Sequence, residues 1–258
     1  MNTMIIPALR APIVLVHGLL GFNKIQAAGV TLLDYFRGIP PVITSAGNRV
    51  LIPTLSPTGG VADRAKQLKD FILKNSPAEP VHIIAHSMGG LDARYMISCL
   101  DMAPKVLTLT SIGTPHKGTS FADWGVERFA RIVRPCLDTL GMPYQAFYDL
   151  TRPNCKAFNE KVLDIATVRY FSVSGKHDGN IFHPEWLLPF SIVARHEGDN
   201  DGIVSIASAQ HGEICDVWEG DHVMLVNWFN PIHHFRGIWR DRAPEYGAIL
   251  RRLHDFGY

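Results

Sequence analysis

The chain has 258 residues, of which 47% are hydrophobic and 19% charged, with a formal net charge of +1. This length suits one large domain with a substantial core, so a single domain over residues 1–258 is the expectation. The balanced charge gives no footprint for nucleic acid, and no apolar run approaches the ~20 residues of a membrane span.

In chain order, the first segment, Met1-Asn2-Thr3-Met4-Ile5-Ile6-Pro7, leaves no room for a charged region, an apolar region and a cleavage site before the first strand. A cytoplasmic setting is the expectation, or secretion if a leader has been removed. Short apolar runs predict strands at Ile13–His17, Val50–Leu55, Val81–Ala85, Val106–Ile112, Val168–Val173 and Ile214–Glu219. Several are apolar without alternation, as in strands buried on both faces. Helical patterns fall at Val30–Phe36, Val61–Lys74, Gly90–Leu100 and Pro244–Asp255, the second carrying Val61, Ala65, Leu68 and Ile72 on one stripe. The alternation predicts an α/β fold, a mainly parallel sheet with helices on both faces. It breaks between Thr119 and Thr167, where a helical and loop-rich stretch holds Phe121, Trp124, Phe129, Tyr144, Phe147, Tyr148 and Phe158. Such an insertion reads as a cap over a site for an apolar substrate, or as an extra helical layer with its own aromatic core.

Cys99, Cys136, Cys155 and Cys215 fit no zinc spacing. Cys99 and Cys215 fall in element-like runs and are expected to be buried. Cys136 and Cys155 flank one loop-rich segment and could pair; free thiols are the expectation.

The most specific chemistry lies in Ala85-His86-Ser87-Met88-Gly89-Gly90, between an apolar run and a helical pattern. A strand, a sharp turn with one serine among small residues, then a helix is the layout of a nucleophile elbow. A serine hydroxyl needs a base to take its proton and an acid to orient that base, and both follow such an elbow at later strand ends. Of the 12 histidines, His222 follows the last strand-like run in Gly220-Asp221-His222-Val223. His233, His234 and His254 lie in a tail or terminal helix without that setting. Two acids compete: Asp178, directly after Tyr170-Phe171-Ser172-Val173, and Asp201 in Asp199-Asn200-Asp201-Gly202. Position alone leaves both open. The turn His17-Gly18-Leu19 ends the first strand, so the N–H groups of Leu19 and Met88 form the candidate oxyanion pair.

These blocks resemble the bacterial true lipases of the α/β-hydrolase superfamily. The resemblance rests on Val16-His17-Gly18-Leu19-Leu20-Gly21-Phe22, the elbow with Arg94-Tyr95, and Ser111-Ile112-Gly113-Thr114-Pro115-His116-Lys117-Gly118. It continues through Tyr170–Gly175, Asn200-Asp201-Gly202-Ile203-Val204 and Asp221-His222-Val223. The Ala85-first elbow resembles that of small lidless members, the other blocks those of larger lidded ones. The resemblance implies an α/β-hydrolase fold with a cap over residues 119–167 and a Ser87, His222, Asp201 triad, and makes Asp178 the alternative acid. It implies hydrolysis of medium or long acyl esters through an acyl-enzyme, with no cofactor, a small-molecule or lipid ester as partner and transient contact with a lipid interface. Short-chain carboxylesterase, thioesterase and acyltransferase activities share this machinery and stay open, as does a non-catalytic relative that binds a hydrophobic ligand. His116 has no catalytic part in the family and reads as structural. Larger members hold calcium with an aspartate two residues after the histidine and a glutamine four further on. Met224 and Trp228 stand there, so no calcium is expected at that place, and no histidine–aspartate spacing supports zinc.

Overall fold

The computed structural model describes residues 6–19, 21, 24–27, 30–132, 145–179, 184–228, 234–235 and 240–258. Strands in chain order are β1 (Ile13–Val16), β2 (Lys24–Ala27), β3 (Val30–Asp34), β4 (Val50–Leu51), β5 (Val81–His86), β6 (Val106–Ile112), β7 (Arg169–Lys176) and β8 (Ile214–Glu219). Helices are α1 (Ile39–Ser45), α2 (Val61–Asn75), α3 (Met88–Cys99), α4 (Ser120–Ile132), α5 (Gln145–Asp149), α6 (Arg152–Lys161), α7 (Pro184–Glu197), α8 (Ile206–Ala209) and α9 (Ala243–Asp255).

Six strands pair in parallel in the order β4-β1-β5-β6-β7-β8. The unbroken apolar sequence of β1 follows from burial on both faces, whereas β8, at the sheet edge, alternates half-buried with exposed positions. Along β1, Ile13 and Leu15 enter one core with α1 and α9, while Val14 and Val16 enter the other with α2 and α3. Because every strand runs the same way, the turns after β1, β5, β7 and β8 gather along one sheet edge, where open α/β sheets place their sites. The registers Val16↔Ala85 and Ala85↔Ser111 set the turns after β1, β5 and β6 side by side.

The segment Val30–Phe36 is a strand rather than a helix over Val30–Asp34, pairing antiparallel with β2 from Lys24↔Asp34 to Ala27↔Val30. Its β-branched Val30 and Thr31 favour a strand. The helix α1 had no sequence expectation because Pro40 and Pro41 obscure it; both sit in its first turn, where a missing N–H costs nothing. Residues Ser120–Lys161 contribute α4, α5 and α6 between β6 and β7. Ala146, Leu150 and Cys155 of this stretch pack on Met88 and Leu91 of α3. Cys155 is a free buried thiol, donating to the Asp149 carbonyl, and Cys136 lies outside the described residues. Cys215 is exposed and Cys99 half-buried, contrary to expectation, because β8 is an edge strand and Cys99 ends its helix. Among the described residues, no helix is long and apolar enough to cross a membrane.

Candidate active site

The turn after β5 is sharp. Ser87 has φ 54° and ψ −132°, a conformation costly for any residue with a side chain, on the order of 1–3 kcal/mol. Three bonds hold it there: Ser87 N–H donates to the Ile112 carbonyl (2.8 Å), and its own carbonyl accepts from Thr114 Oγ1 (2.7 Å) and Gly90 N–H (3.1 Å). The following helix starts so close to β1 that a Cβ on Gly89 would lie 2.9 Å from the His17 carbonyl oxygen and 3.0 Å from that of Val16. Ala85, by contrast, is wholly buried on the strand, so its methyl fits where the usual pattern has glycine.

His222 Nε2 lies 3.0 Å from Ser87 Oγ, and His222 Nδ1 lies 2.7 Å from Asp201 Oδ2. The backbone repeats the link, with His222 N–H donating to the Asp201 carbonyl (2.8 Å). Asp201 is fully buried, and its other oxygen accepts the N–H groups of Ile203 (3.0 Å) and Val204 (2.8 Å). These bonds fix the angle of the carboxylate. Asp178 stands elsewhere: its side chain is 68% exposed, 3.6 Å from His177 Nδ1. The structure thus brings Ser87, His222 and Asp201 together and leaves Asp178 at the surface. His116 is also away from this centre, buried between Ser111 Oγ (2.8 Å) and a stacked His211 (4.4 Å between centroids).

The turn after β1 is clamped from below. Fully buried Arg64 donates to the His17 carbonyl (2.7 Å), the Ser56 carbonyl (2.6 Å) and Asp92 Oδ2 (2.8 Å). Burial raises the Asp92 carboxyl to about 7 against the downward pull of the Arg64 charge. His17 is driven down to about 4 by burial and by Arg64. It stays neutral at pH 7, with Nδ1 donating to the Gly18 carbonyl (2.9 Å) and Nε2 accepting Leu55 N–H (3.0 Å). Gly21 N–H also reaches the Gly18 carbonyl (3.2 Å). A trans peptide then turns Leu19 N–H the opposite way. Met88 opens α3, so its N–H has no partner within the helix.

Above Ser87 and His222 lies a cavity of about 630 Å³, walled by Leu19, Phe121, Trp124, Val126, Leu150 and Trp228. One side of it comes from α4 and the stretch around α5, the rest from the turns at the sheet edge. Met224 and Trp228, at the places where a calcium ligand set would need oxygens, do not fit that ion. Met224 is buried, and Trp228 Nε1 donates to the Tyr35 carbonyl (2.8 Å). Asp221 instead caps the turn Met224–Val226, accepting the N–H groups of Val223 (3.1 Å) and Met224 (2.9 Å). No group of three or more His, Cys, Asp or Glu suited to a metal occurs among the described residues. Sequence reading missed Arg64, Asp92, Tyr35 and His86 around the site; only the buried charge of Arg64 on the apolar stripe of α2 could have signalled one of them.

The family described as "PGAP1-like alpha/beta domain" matches residues 61–218. A triacylglycerol lipase of Pseudomonas fragi is 35% identical over 96% of this chain and 97% of its own. Triacylglycerol lipase 2 of Saccharomyces cerevisiae is 33% identical over 78% of this chain, which spans 64% of that longer protein. Among solved structures, a metagenomic carboxyl esterase superposes with a TM-score of 0.75 over 99% of this chain and 77% of its own, at 19% identity. The chain belongs to the lipase family of the α/β-hydrolase superfamily, a family of serine ester hydrolases.

Proposed function

We propose that the chain hydrolyses carboxylic esters of medium or long acyl chains, with Ser87 as nucleophile, His222 as general base and acid, and Asp201 as the orienting acid. The observation that carries this reading is the chain of contacts from Ser87 Oγ through the His222 ring to a buried carboxylate, opening into an apolar cavity of about 630 Å³. His222 Nε2 takes the Ser87 proton as Oγ bonds to the ester carbon. The carbonyl oxygen becomes an oxyanion facing the N–H groups of Leu19 and Met88, each worth about 3–4 kcal/mol of transition-state stabilisation. When the C–O bond to the alcohol breaks, His222 returns the proton to the leaving oxygen. Water repeats the sequence on the acyl-enzyme, releasing the acid and restoring Ser87. These steps use no cofactor.

The helical stretch between β6 and β7 serves in this reading as the cap, since Phe121, Trp124, Val126 and Leu150 supply much of the acyl-binding wall. Triacylglycerols fit as substrates by the relatives' names and by the apolar walls. A cytoplasmic setting is part of the same reading, and cell fractionation checks it. The test of substrate class is a rate profile over acyl chain length, with and without an emulsion interface. The reading expects activity to persist on long chains and rise at the interface. Activity that fades beyond short chains would replace it with a short-chain esterase on the same machinery.

A further inference from the structure

A second buried histidine lies behind the nucleophile. His86, the last residue of β5, is 2% exposed, and its ring nitrogens face different partners. Nε2 is 3.0 Å from the His222 carbonyl oxygen, which can only accept, so Nε2 carries a proton. Nδ1 is 2.7 Å from the Tyr35 phenol oxygen, and that oxygen accepts Gly18 N–H at 3.0 Å. Burial holds the imidazole well below its usual range, so it is neutral and Nδ1 is bare. Every donor in the series is then assigned. Gly18 N–H donates to Tyr35, Tyr35 O–H donates to His86 Nδ1, and His86 Nε2–H donates to the His222 carbonyl.

We propose that Tyr35 and His86 are positioning residues for the ester hydrolysis inferred above, a single hydrogen-bonded relay that orients the Leu19 N–H and the His222 ring together. The inference rests on that reading of the site. At one end, the relay holds the amide one peptide before Leu19. The turn there is tight, since a Cβ on Gly18 would lie 2.7 Å from Ser87 Cβ and 3.0 Å from the Tyr35 hydroxyl. At the other end, the backbone of His222 is gripped on both sides, its N–H by the Asp201 carbonyl (2.8 Å) and its carbonyl by His86 (3.0 Å). With the backbone fixed, the imidazole keeps its aim at Ser87 Oγ. Tyr35 is itself anchored by Trp228 Nε1 on its carbonyl (2.8 Å) and by edge packing on Phe36, so the phenol is held on the line between the two loops.

A purely space-filling Tyr35 makes the opposite prediction, and Tyr35→Phe separates the two because it keeps the ring and removes the hydroxyl. The experiment measures kcat and KM for a soluble ester with the wild type, Tyr35→Phe, His86→Leu and the double variant. Each single change is expected to lower kcat about 10- to 100-fold with KM within two-fold, and the double to be no worse than the poorer single, because one relay is broken once. A Tyr35→Phe enzyme within two-fold of wild-type kcat overturns the proposal, as do losses that multiply in the double variant. Nitrogen-15 NMR of the wild type supplies a check that needs no variant to fold: His86 must carry its proton on Nε2, and a proton on Nδ1 overturns the relay. Wild-type activity keeps the two claims apart. If the wild type hydrolyses no ester, the reading of the site fails; if it is active and Tyr35→Phe equals it, only the relay fails.

Discussion

Replacing Asp201 by Asn removes one charge and almost no volume, and the structure dictates how the amide must sit. Asp201 Oδ1 accepts two backbone N–H groups, from Ile203 and Val204, so the amide oxygen takes that side. The NH₂ group is left facing His222 Nδ1, 2.7 Å away in the parent. A donor there needs an acceptor, so Nδ1 loses its proton and the imidazole carries it on Nε2. Nε2–H then points at Ser87 Oγ and cannot take a proton from it. We expect kcat/KM on a p-nitrophenyl ester to fall about 10³- to 10⁴-fold, equivalent to ~4–5.5 kcal/mol of transition-state stabilisation. The fold should survive, because the loop keeps its two N–H bonds. Asp178→Asn, at the surface, should leave the rate within two-fold. An Asp201→Asn enzyme within ten-fold of the parent, with an intact circular-dichroism spectrum, would refute the assignment of the orienting acid.

Gly89→Ala should cost about 1–3 kcal/mol of stability, since its Cβ would press on the backbone carbonyls of Val16 and His17, which cannot retreat singly; urea denaturation measures this. Stability should also fall with acid. Burial lowers His17 and His82 from 6.5 to about 4, and holds His86 and His116 well below the usual value. The folded state keeps these rings neutral while the unfolded chain protonates them below pH ~6.5. Their contribution is therefore full above the unfolded value and drains as pH falls toward about 4. Each ring adds a slope of about 1.4 kcal/mol per pH unit, and His82→Gln should remove one ring's share. Denaturant titrations from pH 7 to 4 check the slope, and a flat profile contradicts it. Activity should be unchanged by a chelator; a loss restored by calcium would show that Met224 and Trp228 misled the metal assignment.

The sheet was legible because β1 and the Ile83-Ile84-Ala85 stretch of β5 are apolar on both faces, a pattern that needs only local sequence. The elbow was legible for a similar reason: the small residues Ala85, Gly89 and Gly90 mark a chain segment crowded by its neighbours. Val30–Phe36 misled because its spacing of Val30, Leu33 and Phe36 suits a helix as well as a strand, and only pairing with Lys24–Ala27 decides between them. The burial of Cys215 was misjudged because edge position is a property of the sheet order. Asp178 directly follows a strand-like run and Asp201 sits in a tight turn beside Ile203-Val204, so position left both open and family resemblance preferred Asp201; the distance to His222 comes only with tertiary structure. Arg64, Tyr35 and His86 escaped notice for the same cause. Arg64 meets the His17 carbonyl 47 residues away, and His86 meets the His222 carbonyl 136 residues away.

The central claim is that Ser87 is the nucleophile of an ester hydrolase. Incubation with a p-nitrophenyl alkylphosphonate, followed by peptide mass spectrometry, tests it most directly. The account predicts one phosphonyl group per chain, on Ser87, appearing at the rate at which ester hydrolysis is lost, and neither labelling nor hydrolysis in Ser87→Ala. Full hydrolysis by Ser87→Ala, or stoichiometric labelling at another residue as activity disappears, would contradict it.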